Sequence, residues 1–135
     1  MASNNNVKNN QSLDSNESKV KKIYISWQEI EDLINSNLTK IKNVKDIYPI
    51  PRGGLVIGVM LSHKLNLPFA NKITKHTLVV DEICDSGKTF IELEEKLGFK
   101  LNTFCLHRKS IAKYSSDIVC KELTTPDWIV YPWEV

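Results

Sequence analysis

Between residues 78 and 90 the chain reads LVVDEICDSGKTF: an apolar run meets the adjacent acids Asp81 and Glu82, a third acid follows at Asp85, and Ser86, Gly87, Lys88 and Thr89 come next. A strand that runs through a loop into a helix is where parallel sheets place ligands, because the helix start presents unpartnered N–H groups and partial positive charge. Gly87 lets the backbone approach an anion, Ser86 and Thr89 supply hydroxyls, and successive N–H groups form a nest. Residues 85–89 therefore have the chemistry of a monophosphate cradle. Asp81 and Glu82 suit hydroxyl donors such as those of ribose, or a Mg²⁺ ion held between them and a sugar. A nucleoside-triphosphate loop also closes in Gly-Lys-Thr, but it needs a glycine five positions before Gly87, where this chain has Glu82. A solvated acidic loop before an ordinary capped helix would carry the same three acids.

A second group stands upstream, in YPIPRGGLVIGVMLSHKLNLPF. Arg52 offers a fork of donors that matches phosphate oxygens, and Gly53 and Gly54 bring backbone N–H groups within reach of an anion. A plain turn carrying a surface arginine would read the same way.

The elements that must position these residues follow from periodicity. KIYI (22–25) reads as a short strand. In SWQEIEDLINSNL, Ser26 and Glu29 have capping-box spacing while Trp27, Ile30, Leu33, Ile34 and Leu38 recur at helical intervals. DIYPI (46–50) reads as a buried strand. LVIGVMLSHKL is apolar nearly all round and too long for a strand, so it reads as a buried helix. A strand at 77–81, a helix at 88–97 stopped by Gly98 and a strand at 100–106 continue the alternation, and short strand-like pieces broken by Pro126 and Pro132 end the chain. Alternating strands and helices predict an α/β fold with a parallel sheet flanked by helices.

With 135 residues there is room for one domain. The first 19, rich in Asn and Ser, predict a disordered tail ahead of a domain at 20–135. Eighteen basic against 16 acidic side chains give a formal charge of +2, too weak a field to argue for nucleic acid or an anionic membrane. Cys84, Cys105 and Cys120 lie far apart with no metal-ligand spacing, which argues against disulfides and zinc. No apolar run approaches the roughly 20 residues of a membrane span and no signal-peptide pattern opens the chain, so the expected location is cytoplasmic.

The acidic stretch as a whole resembles the phosphoribosyl-pyrophosphate (PRPP) motif of the type I phosphoribosyltransferases: an apolar strand, two acids, two variable residues, then Asp-Ser/Thr-Gly-x-Thr. Glu82 at the second acid is a mild departure. The Arg-Gly-Gly turn is similar to the pyrophosphate loop of the purine-salvage members, which often carry a cis peptide there, here Pro51–Arg52. PDWIVYPWEV resembles the C-terminal end of the bacterial xanthine-guanine enzymes. The resemblance implies that fold, shortened, with a small hood from the N- and C-terminal segments. It also implies transfer of a phosphoribosyl group from PRPP to a purine base with Mg²⁺ as cofactor. Asp81 and Glu82 would hold the ribose hydroxyls and the metal, Arg52, Gly53 and Gly54 the pyrophosphate, and Asp85, Ser86, Gly87, Lys88 and Thr89 the 5′-phosphate, with Asp85 also close to the base. Trp128 would stack on the base, the Ile129 backbone would read its edge, and Trp133 would pack in the core. Where purine enzymes carry a lysine for the exocyclic oxygen, TFCLHRKS places His107, with Arg108 next. The implied partners are small molecules, with no nucleic-acid polymer and no membrane, in a homo-oligomer. Relatives also have an extra strand and a long loop that closes over the site, for which this chain offers only residues 66–77. A protein that binds PRPP or a nucleotide without catalysis is the alternative.

Overall fold

The computed structural model describes residues 20–135, so the tail expected at 1–19 lies outside the described residues. Strand β1 (Lys22–Tyr24) leads into helix α1 (Trp27–Asn35), and a 3-10 turn follows at Leu38–Lys40. Strand β2 (Asp46–Pro49), helix α2 (Gly54–Leu65), strand β3 (Thr77–Cys84), helix α3 (Lys88–Leu97) and strand β4 (Asn102–Lys109) then alternate, and strands β5 (Ile118–Leu123) and β6 (Trp128–Val130) complete the order. The alternation predicted from sequence is present. A four-stranded sheet of order β2-β3-β4-β5 is parallel throughout, and β1 pairs in parallel with β6 as a separate two-stranded hood.

Local chemistry accounts for the ends of the helices. The Ser26 hydroxyl accepts from the Glu29 N–H at 3.1 Å while the Glu29 carboxylate accepts from the Ser26 N–H at 3.1 Å, the reciprocal capping box that the spacing predicts. Helix α3 stops at Gly98 with φ +81°, a left-handed cap that glycine adopts without steric cost. Ile30 and Ile34 of α1 and Ile57 and Leu61 of α2 pack on one face of the sheet against Ile47, Leu78, Val80, Phe104 and Leu106. Phe90 of α3 packs on the other face with Val79, Leu101 and Cys105. Alternate residues of β3 thus serve opposite cores, as a strand buried on both faces requires.

Two differences from the sequence expectation matter for the site. Strand β3 does not stop at residue 81: Asp81, Ile83 and Cys84 pair in register with Cys105, His107 and Arg108 of β4. The backbone groups of both strands stay satisfied by prolonging the ladder, and this outweighs the poor strand propensity of the acids. Asp81 and Glu82 therefore stand on the end of a strand rather than in a loop. The other difference lies in residues 68–70, which run along the free edge of β2. Ile47 N–H donates to Pro68 O at 3.0 Å, Ala70 N–H donates to Ile47 O at 2.7 Å, and Phe69 forms a single parallel bridge to Ile47. The chain thus leaves β2 through α2 to this rudiment on one side, then returns to β3 on the other. Strand order reverses between β2 and β3, the kind of crevice in which open α/β sheets bind ligands.

Candidate active site

At that crevice three segments meet. The turn after β2 holds a cis peptide between Pro51 and Arg52, as the resemblance implies. It leaves Arg52 exposed and feeds Gly54, whose N–H donates to Ile50 O at 2.8 Å, into α2. Across the crevice stands the end of β3. A Cβ on Gly53 would collide with the Glu82 carboxylate, and one on Gly54 would strike the backbone at Val80 and Asp81. Gly54 is needed for the turn to lie directly against the β3 backbone, whereas at Gly53 only the flexible end of Glu82 would have to move.

The acid pair is electrostatically unusual. Burial pushes the Asp81 carboxyl up to about 9, with a hydrogen bond to the Glu82 side chain and the Glu82 charge acting in the same direction. The Glu82 N–H donates to Asp81 Oδ1 at 2.9 Å and opposes that shift. Among the described residues no lysine or arginine forms a salt bridge with either carboxylate. Two partly buried carboxylates without a protein cation suit hydroxyl donors or a hard cation. No group of three or more His, Cys, Asp or Glu among the described residues could hold a metal by itself. Asp81 and Glu82 fit Mg²⁺ as part of a ligand set that substrate oxygens and water would complete.

The stretch expected to cradle a phosphate follows the acid pair at the end of β3. Gly87 adopts φ +89° and caps α3 with no side chain of its own; the Lys88 N–H donates to Ser86 Oγ at 3.2 Å, and the N–H groups that follow in the first turn face the loop. A cavity of about 80 Å³ is lined by Asp81 and by residues 83–90. This is well below the ~300–1,000 Å³ of a whole small-molecule pocket and suits a single phosphoryl group. The Gly87 conformation has a cause that the sequence did not show: a Cβ there would hit Tyr114 at 2.4 Å from its Cβ, so the glycine admits the 109–114 loop as much as an anion. Lys113 N–H donates to Ser86 O at 3.0 Å and fastens that loop over the cradle.

The base-side expectations need correction. His107 is buried, its Nδ1 is 2.7 Å from the Tyr131 hydroxyl, and burial lowers its pKa to about 4. Arg108 is spent on the Tyr114 carbonyl at 2.8 Å, the Ala112 carbonyl at 2.9 Å and Glu122 at 3.1 Å. Neither side chain is presented at the cradle: the two point to opposite faces of β4, and each is taken up by partners on its own side. Lys109, one residue on, places Nζ 3.1 Å from Asp85 Oδ1. The sequence reading did not single Lys109 out.

The hood carries the remaining expectations. Trp128 is 59% exposed on β6, free to offer a ring face, while the Ile129 side chain is buried beneath it. Trp133 packs as expected, stacked on Tyr131 at 4.9 Å between centroids and 5.8 Å from Trp27. No helix among the described residues is long and apolar enough to cross a membrane.

No model of a known protein family matches the sequence. It is similar to the xanthine-guanine phosphoribosyltransferase of Idiomarina loihiensis, 24% identical over 144 residues, covering 85% of this chain and 88% of that protein. That alignment is longer than this chain of 135 residues, so the relative carries residues with no counterpart here. The fold superposes on a purine phosphoribosyltransferase from Pyrococcus horikoshii with a TM-score of 0.73, 26% identity and coverage of 84% of this chain and 95% of that one. The xanthine-guanine-hypoxanthine enzyme of Helicobacter pylori gives 0.67, 25%, 84% and 94%. With the motif on the page and the crevice built around it, the chain is similar in sequence and in fold to the purine members of the type I phosphoribosyltransferases.

Proposed function

We propose that the protein transfers the 5-phosphoribosyl group of PRPP to a purine base and releases pyrophosphate. The observation that carries this reading is the Lys109–Asp85 contact of 3.1 Å at the mouth of the cradle. A cation for an exocyclic oxygen and a carboxylate for a ring N–H stand side by side where a purine would sit. Arg52, Gly53 and Gly54 hold the pyrophosphate, Asp81 and Glu82 the ribose hydroxyls, residues 85–89 the 5′-phosphate, and Trp128 with the Ile129 backbone the base. Bound Mg²⁺, on Asp81 and Glu82, would neutralise charge on the leaving pyrophosphate. The bond from the ribose carbon to pyrophosphate breaks as the bond to the base nitrogen forms, and Asp85 accepts the ring proton. No covalent nucleophile is required, so the protein acts by positioning and electrostatic stabilisation. The reading places the protein in the cytoplasm, as a homo-oligomer.

A second reading has its own observation, the 66–77 connection, which is taken up by the rudimentary strand and its own hydrogen bonds. A site without a closing loop could bind PRPP or a nucleotide without turning it over. An assay with PRPP, Mg²⁺ and hypoxanthine, guanine, xanthine and adenine separates the two. Nucleotide formation with at least one base supports transfer. Tight PRPP binding with no product from any base would leave only the binding reading.

A further inference from the structure

The hood shares no ladder with the main sheet, and Ile25 and Ile129 attach it through apolar contacts, which resist sliding poorly because they are non-directional. Among the described residues, hydrogen bonds between the segment 128–135 and the main sheet come from one atom. The Tyr131 hydroxyl lies 2.7 Å from His107 Nδ1 on β4 and 3.2 Å from the Glu82 carbonyl on β3. A phenol has one proton to give and the Glu82 carbonyl can only accept, so both contacts are satisfied only when His107 Nδ1–H donates to the hydroxyl and the hydroxyl donates to Glu82 O. The Tyr131 ring is 2% exposed and stacked on Trp133 at 9° between planes, which leaves it little freedom to swing. Three residues earlier stands Trp128, and the side chain of Glu82 lies against Gly53 of the pyrophosphate turn.

We propose that Tyr131 is a positioning residue: its hydroxyl, clasped between His107 and the Glu82 peptide, fixes the height of the Trp128 platform over the ribose-binding acids. The proposal rests on the purine-transfer reading above and adds a determinant of base binding that touches no substrate. Glu82 becomes the junction of the site, with its side chain at the pyrophosphate turn and its carbonyl holding the hood.

Steady-state kinetics of Tyr131→Phe test this. The expected result is a KM for the base raised roughly five- to tenfold, the loss of one neutral hydrogen bond, with the KM for PRPP changed less than twofold. A fall in kcat through lost active protein, with the base KM untouched, would mean a merely structural role and overturn the proposal. His107→Leu removes one anchor while leaving Tyr131 in place, and serves if the first variant does not fold; the base KM should again rise, and no rise overturns the proposal. If the wild type transfers to no base, the functional reading falls and amide exchange decides the proposal alone. In Tyr131→Phe the amides of Ile25 and Trp128, which bond to Val130 O and Lys21 O within the hood, should exchange faster relative to those of α3. Unchanged exchange would overturn it.

Discussion

Residues 66–77 lead into the start of β3 and residues 81–89 leave its end, and the two stretches have opposite fates. The stretch at 81–89 carries the groups of the proposed phosphoribosyl site: the acid pair near the end of β3, the left-handed Gly87 and the start of α3, where Ser86 Oγ accepts from the Lys88 N–H. The stretch at 66–77 is short and is spent on itself. Ser62 Oγ donates to Leu67 O at 2.6 Å, residues 68–70 bond to Ile47, and Thr74 N–H donates to Thr77 Oγ1 at 2.9 Å. A dozen residues that must cross from one side of β2 to the other have none left over for a lid. The difference separates two tasks. Binding the donor is done by strand ends and helix starts, which the core holds in place; excluding water is done by mobile segments, which can be lost without disturbing that core.

The sharpest way to break this contrast is at Asp85. If the cradle is catalytic, Asp85→Asn should cut kcat by ~10²–10⁴, the range of general acid–base catalysis, with PRPP affinity largely kept. An unchanged kcat would reduce the complete half of the site to a binding surface.

Lys109→Ala comes next. Losing a charged hydrogen bond to an exocyclic oxygen should cost ~1.5–3 kcal/mol in kcat/KM for 6-oxopurines and much less for adenine. Equal losses for both would show that Lys109 acts only through Asp85.

Trp128→Ala should weaken base binding by roughly 1–3 kcal/mol, as aromatic–base stacking does elsewhere, and leave pyrophosphate affinity intact. A loss shared by both ligands would assign the ring to folding. Gly87→Val, by contrast, is a poor probe of the phosphate, because its side chain would collide with Tyr114 before any ligand arrived.

The acid pair predicts a pH effect on the unliganded protein. Between the ordinary 3.8 and the native value of about 9, folded Asp81 keeps a proton that the unfolded chain has released. Stability should therefore be greatest below about pH 4 as far as this group is concerned, and decline as pH rises towards 9. Asp81→Asn should flatten that slope and raise the melting temperature at pH 8 by a few degrees, on the order of 4–8 °C per kcal/mol for a domain this small, while weakening PRPP binding. A variant no more stable than wild type at pH 8 would show that the pair is solvated after all.

The smallest effect concerns the missing cover. An open site should let water compete with the base, so PRPP hydrolysis should accompany transfer as a minor product. If a neighbouring copy supplies the cover, dilution should raise the hydrolysed fraction; fast, hydrolysis-free transfer by a demonstrated monomer would remove the contrast altogether.

Much of this was legible in the residues. The order of elements, the capping box at Ser26, the helix start near Lys88 and the Arg-Gly-Gly turn are local: each depends on neighbours within a few positions, and propensity, capping and periodicity act at that range. Tertiary structure decided what depends on residues far apart. Asp81 and Glu82 joined β3 because β4 runs long enough to pair with them. Gly87 is glycine partly because Tyr114 packs there. Lys109 reaches Asp85, while His107 two residues earlier is held by the Tyr131 hydroxyl and Arg108 is claimed by Glu122 and two carbonyls. Which face a strand residue serves is fixed by the partner strand's register, and register is a property of the assembled sheet.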